Sequence, residues 1–230
     1  HITLATVWTG EKERASMSEL QAYCARIHSA QVPVWRSLWN VVKALPSRQP
    51  LQAVYSWQPS LARQISRLAA DVDGPDPIDV VHVEHLRGAV YGLYLKQELA
   101  RMERPVPVVW DSVDSISYLF RQAMSRSRSL VSRAITRFEL SRTEPFERWL
   151  LRQFDHVLVT SDKDRQVFTN GQDAPARISV LENGVDLAYF KPDEDLARDP
   201  ATVVVSGKMS YHANVAMVLR LIEEIMPLVW

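Results

Sequence analysis

The chain has 230 residues, 47% hydrophobic and 23% charged, the balance of a globular protein with a full core. Lysine plus arginine equals aspartate plus glutamate at 27 each, so no global field favours nucleic acid. The lone Cys24 rules out an internal disulfide and a cysteine-based zinc site, and no apolar run approaches the roughly 18 residues that span a bilayer.

In chain order, Ile2–Val7 alternates and is β-branched, which predicts a strand. Ser16-Met17-Ser18-Glu19 has capping-box spacing, and Leu20, Tyr23, Cys24 and Ile27 follow at helical spacing, so a helix is expected there. Val32–Val34 reads as the next strand and Ser37–Leu45 as a short helix ended by Pro46. Pro59–Val72 carries Leu61, Ile65, Leu68 and Ala69 at helical spacing, with Pro59 in the first turn and Asp73-Gly74-Pro75 as the stop.

Ile78–Val83 predicts a buried strand with polar residues gathered at its carboxyl end: His82, Glu84, His85 and Arg87. In open α/β sheets ligands sit beyond the carboxyl ends of strands, so these residues lie where a site would be. The plainer reading, favoured for His82, makes His82 a satisfied core histidine and Arg87 a surface charge. Arg87-Gly88 opens a helix through Tyr91, Leu95 and Leu99. Val106–Trp110 is the following strand, ending in Asp111-Ser112-Val113-Asp114; its two aspartates fit either helix capping or an acceptor cleft.

Ile116–Phe154 is long, helical and basic. Eight arginines from Arg121 to Arg152 face three acids, Glu139, Glu144 and Glu147. Such a surface suits either solvent or an anionic lipid or pyrophosphate-linked acceptor. Pro145 is expected to kink or restart the helix, with Thr143 or Glu144 as the new cap. His156–Thr160 is a short strand, and Ser161 or Asp162 caps the helix after it.

The last quarter reads as a crossing between domains. Arg177–Leu181 is a strand, Asn183-Gly184 a turn, and 183–200 a polar, Pro-bearing linker. Thr202–Val205 is a β-branched run suited to a parallel strand, and Ser206-Gly207-Lys208-Met209 turns into a helix ended by Pro227. Fold class is therefore α/β: residues 1–182 form a Rossmann-like domain with a parallel sheet, and 201–230 begin a second one with its first strand and helix.

Asn183-Gly184-Val185-Asp186, then Tyr189-Phe190-x-Pro192, then a strand ending in Ser206-Gly207-Lys208-Met209, resembles the interdomain crossing of retaining GT-B glycosyltransferases. The nearest resemblance is to glycosyltransferase family 4 sugar transferases of bacterial exopolysaccharide clusters. It implies a cytoplasmic enzyme, peripheral on the inner membrane face through the Arg121–Arg152 region. The nucleotide sugar is its substrate, a glycan or lipid-linked molecule its acceptor, and no cofactor, metal or nucleic acid takes part. Gly207 matches the turn glycine beside the donor diphosphate, where a close backbone and a helix N-terminus favour an anion. Lys208 stands where that family often has arginine, and Asn214 is near the place of its second lysine. A family histidine that contacts the transferred sugar aligns with Glu84, with His85 one residue later as its functional equivalent. Arg87, Asp111, Asp114 and Ser161 fall to the acceptor or cleft, and Asn183 and Gly184 to the hinge. The resemblance also implies a chain truncated at both ends. It lacks the first strand-helix unit and the acidic pair expected after Trp230, and is inactive by itself.

Two non-catalytic alternatives remain: a nucleotide- or sugar-binding α/β domain, and a membrane-interaction domain using the Arg-rich helix. The absence of G-x-x-x-x-G-K-[ST] disfavours a phosphate-loop NTPase, and the absence of G-x-G-x-x-G disfavours a dinucleotide fold.

Overall fold

The computed structural model describes residues 1–71, 74, 76–126, 129–169, 177–192, 197, 199–209 and 212–229. It divides into two compact units, His1–Asn183 and Gly184–Trp230.

Unit 1 opens with β1 (Thr3–Trp8), α1 (Glu11–Ser16), a 3-10 turn at Glu19–Ala22 and β2 (Arg26–Gln31). The two strands pair in parallel along their whole length, from Thr3 beside Arg26 to Trp8 beside Gln31. This corrects the helix expected around Leu20–Ile27. Tyr23 is exposed, so that spacing buries no apolar face, and Ile27 belongs to the strand that satisfies one edge of β1. The strand expected at Val32–Val34 is displaced in turn. Val32 is buried just after β2, and Pro33 precedes α2 (Val34–Ala44). Next come α3 (Leu51–Val54) and α4 (Pro59–Ala70), with Pro59 in the first turn, where its missing N–H costs no helical bond. Of the expected stop after α4, Asp73 and Pro75 lie outside the described residues.

The rest of unit 1 alternates strand and helix: β3 (Val81–Glu84), α5 (His85–Arg101), β4 (Val108–Asp111), α6 (Ile116–Arg126), α7 (Leu130–Leu150), β5 (His156–Val159), α8 (Asp162–Thr169) and β6 (Ile178–Val180). These strands form one parallel sheet in the order β3-β4-β5-β6, so helices make the crossovers and every carboxyl end points the same way. This is the α/β, Rossmann-like architecture expected from the alternating apolar runs. Trp110 of β4 is fully buried, with the Phe154 and Phe168 rings 5.8 Å and 6.1 Å away. Gly92 lets α5 lie against this core, because a Cβ there would stand 2.7 Å from Phe154 Cε1 and 3.0 Å from Val83 Cγ2.

The basic region is two helices, and α7 is continuous across Pro145 rather than restarting there. Thr143, Glu147 and Leu150 are buried on both sides of the proline, so packing holds the turn against a local cost of about 3 kcal/mol. No new cap forms at Thr143 or Glu144. Ser129 caps α7 instead, accepting the Ser132 amide at 3.3 Å.

In unit 2, Asp186 closes the turn after Gly184 by accepting the Ala188 and Tyr189 amides at 2.9 Å and 3.1 Å. Thr202–Val205 is not a strand. Among the described residues no strand exists in this unit to pair with it, and Val203 and Val204 are exposed. Helix α9 (His212–Arg220) continues through a π-turn at Leu221–Ile225 into α10 (Met226–Val229). The widened turn accommodates Pro227, so the helix passes the residue expected to end it. Ser210 and Tyr211, in the expected turn before α9, lie outside the described residues.

Candidate functional site

β3 and β4 run in register with Glu84 beside Asp111. Side chains alternate along a strand, so Val83 and Trp110 are buried together on one face while His82, Glu84 and Asp111 lie on the other. There the His82 Nε2 stands 3.4 Å from Asp111 Oδ2, and His85 Nε2 stands 3.8 Å from Glu84 Oε1. Both imidazoles are about half exposed. The structure thus brings together four polar residues at two adjacent strand ends.

The corner between β3 and α5 is strained. His85 takes φ 61°, in the left-handed region, directly after Glu84 in extended backbone. Its carbonyl accepts the indole N–H of buried Trp110 at 3.2 Å, which ties the corner to the core. A second left-handed residue, Val113 at φ 60°, follows β4. Asp111 Oδ1 accepts its amide at 3.0 Å, and its carbonyl accepts the Thr160 amide and hydroxyl at 3.1 Å and 2.8 Å. The loops after β4 and β5 are therefore locked to each other.

Neither Asp111 nor Asp114 caps α6. Ser115 does, accepting the Tyr118 amide at 3.3 Å, while Asp114 is exposed beside it. The other free amides of α6 go to buried Glu147, which accepts from Ile116 at 2.8 Å. Burial pushes the Glu147 carboxyl up to about 7, against the opposing pull of its hydrogen bonds. Ser161 caps α8 as the sequence suggests, accepting the Asp164 amide at 3.1 Å, and its hydroxyl also bonds the Asp164 carboxylate.

Arg87 faces a cavity of about 520 Å³ at the carboxyl end of β1. Thr9, Glu13, Ser37, Tyr55 and Ser56 line it as well. Glu13 accepts the Thr9 amide and hydroxyl at 2.7 Å and 2.9 Å, and these bonds hold its carboxyl below the usual range. The Arg87 guanidinium lies 5.8 Å from the Tyr55 ring centroid. Ser37 is 1% exposed, and its hydroxyl has no hydrogen-bond partner among the described residues. Sequence reasoning missed these wall residues. The rule that pointed to the end of β3 points equally to Thr9 after β1, whereas Ser37 and Tyr55 carry no local signal.

In unit 2, Asn214 donates to the Lys208 carbonyl at 3.1 Å, and a Cβ on Gly207 would stand 2.8 Å from Asn214 Nδ2. A side chain at Gly207 would have to displace the Asn214 amide from this bond, and Lys208 is exposed. Asn183 and Gly184 are exposed at the boundary of the two units. Among the described residues no group of three His, Cys, Asp or Glu side chains could hold a metal ion.

Chemically, unit 1 offers two imidazole–carboxylate pairs at adjacent strand ends, and a guanidinium beside an aromatic ring at the cavity. A search of the curated proteins found no match. The sequence model of the glycosyl transferase 4-like domain matches residues 5–184, well over half of the chain, and the protein belongs to that glycosyltransferase family.

Proposed function

We propose that the protein transfers a sugar from a nucleotide-sugar donor to a glycan or lipid-linked acceptor with retention of anomeric configuration, in the synthesis of bacterial exopolysaccharide or cell-surface polysaccharide. The observation that carries this reading is the set of His82, Glu84, His85 and Asp111 at adjacent strand ends, with Arg87 of the same corner facing the cavity. His85 hydrogen-bonds the transferred sugar, and Glu84 orients His85. Arg87, with Asp111 at the end of β4 and Asp114 on the loop after it, receives the acceptor, and Ser161 supports that loop. In unit 2, the exposed Lys208 and the close turn at Gly207 receive the donor diphosphate. The acceptor hydroxyl oxygen bonds to the anomeric carbon on the face the diphosphate leaves. The bond from that carbon to the diphosphate oxygen breaks, and the hydroxyl proton passes to the departing diphosphate. Fixed donors that meet growing negative charge lower this barrier.

The test is incubation of the full-length protein with UDP-, GDP- and ADP-sugars and a panel of methyl glycosides and polyprenyl-diphosphate sugars. Nucleoside diphosphate release and the anomeric proton signal of the product are followed. Release with a retained anomer, lost in His85→Ala, is expected. An inverted product overturns the retaining chemistry, and neither binding nor release with any donor overturns the transfer reading.

A further inference from the structure

The loop that joins β4 to α6 is short and pinned at both ends. Asp111 closes β4, Ile116 opens α6, and Asp114 is the one exposed residue from Asp111 to Ser117. The front of the loop hangs on β5. Besides the bonds between Val113 and Thr160, the Ser112 amide donates to the Leu158 carbonyl at 2.9 Å. The rear hangs on two other helices. The Ser115 amide donates to Asp164 Oδ1 of α8 at 3.3 Å, and the Ile116 and Ser117 amides donate to the Glu147 carboxyl of α7 at 2.8 Å and 3.3 Å. Two acids from two helices thus hold three successive amides behind Asp114.

Helix capping alone does not call for Glu147. Ser115 already caps α6, and a short hydroxyl does so without taking a charge out of water. Glu147 is 1% exposed, and an acid buried that far is costly to ionise. The charged groups that face it are few. Arg121 of α6, with Glu144 and Arg148 of α7 and the apolar Val167 and Phe168 of α8, walls a void of about 10 Å³ beside it. Both arginines pair with Glu144, and neither pairs with Glu147 among the described residues. Burial therefore dominates and raises the Glu147 carboxyl, against the smaller pull of the Ser117 and Ile116 bonds and of Arg121. With only Ser112–Ser115 between two fixed ends, the direction of Asp114 follows from where α6 begins.

We propose that Glu147 is a positioning residue for sugar transfer: with Asp164 it fixes the start of α6, and through it the direction in which Asp111 and Asp114 meet the acceptor. The inference rests on the reading of those two aspartates as acceptor residues. The neutral carboxyl is the form the fold keeps. When it ionises, the charge is drawn toward Arg121 and water, the first turn of α6 loosens, and the loop loses its rear pin. Acceptor binding therefore weakens as pH rises through the range of this carboxyl. The loop meets bound acceptor and transition state alike, so the acceptor KM changes and kcat does not.

The test is the acceptor KM and kcat of the full-length protein between pH 6 and pH 8.5, for the parent, Glu147→Gln and Arg121→Gln. The parent's acceptor KM should rise about tenfold across that range with kcat unchanged. Glutamine accepts the Ile116 amide but cannot ionise, so its profile should be flat. Arg121→Gln removes the cation that favours ionisation, so the rise should move to higher pH. Hydrogen exchange of the Val113–Tyr118 amides gives the same ordering without any transfer. Protection falls with rising pH in the parent and holds in Glu147→Gln. A protein that transfers no sugar overturns the proposed function and leaves the exchange to decide this inference. Circular dichroism reports folding, and Arg121→Gln carries the test if Glu147→Gln does not fold. A parallel rise of KM in parent and Glu147→Gln, equal loss of protection in both, or an Arg121→Gln profile that does not shift overturns the proposal. So does a lower melting temperature of Glu147→Gln with the parent's KM profile, which leaves Glu147 a structural cap.

Discussion

The Glu147 carboxylate accepts the first amide of α6, that of Ile116, at 2.8 Å, and one residue of α7 thereby closes the N-terminus of its neighbour. It also accepts the Ser117 amide, through both oxygens, at 3.3 Å and 3.4 Å. The group is almost wholly buried, and desolvation outweighs those bonds, so its carboxyl rises from 4.5 to about 7. The folded state then holds a proton that the unfolded state releases. Unfolding therefore releases protons between those two values, and stability falls as pH rises through them, by about 3 kcal/mol for a shift of this size. Urea unfolding at pH 5 and pH 7.5 measures the fall. Glu147→Gln keeps an acceptor for Ile116 but cannot titrate, so its stability should differ much less between the two pH values. An equally steep fall in that variant would remove Glu147 as the cause.

Gly92 and Gly88 lie one turn apart on α5 and meet the same strand, but not with the same clearance. A Cβ at Gly92 would stand 2.7 Å from the buried Phe154 ring, whereas at Gly88 the nearest atom, Val83 Cγ1, is at 3.1 Å. Alanine is favoured over glycine in a helix by about 1 kcal/mol, and overpacking a tight core costs about 1–3 kcal/mol. Gly92→Ala should therefore lower stability by about 1 kcal/mol or more, and Gly88→Ala should be near neutral. Thermal melts of both variants check the ordering, and a Gly92→Ala chain as stable as the parent would contradict the packing described.

Arg142 replaces the capping residue that α2 lacks. Its guanidinium meets the carbonyls of Ala44, Leu45 and Gln49 beyond the last turn of α2, the Ala44 carbonyl also accepting the Ser47 amide at 3.0 Å and hydroxyl at 2.8 Å. Arg142→Ala should cost about 1–3 kcal/mol, since hydrogen bonds to a charged group are the stronger class. Arg142→Lys should recover only part of it, because an ammonium cannot span three carbonyls as a planar fork does. Chemical denaturation of the three proteins reads this directly, and full recovery by lysine would reduce the effect to charge alone.

The four strands of the larger sheet were legible because each contains a short apolar run, although β3 starts at Val81 rather than Ile78 and buries only Val83, while Val80 is exposed. The region before Val34 was not. Ser16-Met17-Ser18-Glu19 and the apolar positions after it obey helical spacing, but Arg26–Gln31 is the only described segment that pairs with β1, and that long-range ladder overrides the local preference. Thr202–Val205 fails for the converse reason, a strand-type run with no described neighbour in its unit. Of the site, the polar end of β3 was legible because polar residues break an apolar strand there. Its pairing of His82 with Asp111 depends on register between strands, which no local pattern records. The hydroxyl of Ser37 belongs to the same class, a small residue on a helix that looks like any other until the fold sets it in a cavity wall.

His85 offers the sharpest separation of fold from function. It holds φ 61° at the first position of α5, where an L-residue crowds its own backbone and glycine does not. Its side chain is half exposed and touches Glu84 rather than the core, so removing the imidazole loses little packing. His85→Gly should therefore leave stability unchanged or raise it by about 1 kcal/mol, while the Trp110 bond survives because it uses the His85 carbonyl. If the imidazole contacts the transferred sugar, the same substitution should lower transfer by about tenfold or more, in kcat rather than in acceptor KM. A residue kept only for structure would show the opposite, a lower melting temperature with activity per folded molecule intact. Melting temperature and transfer rate of His85→Gly, measured on one preparation, distinguish the two, and His85→Asn, which tolerates the same backbone, shows how much of the loss belongs to the imidazole itself.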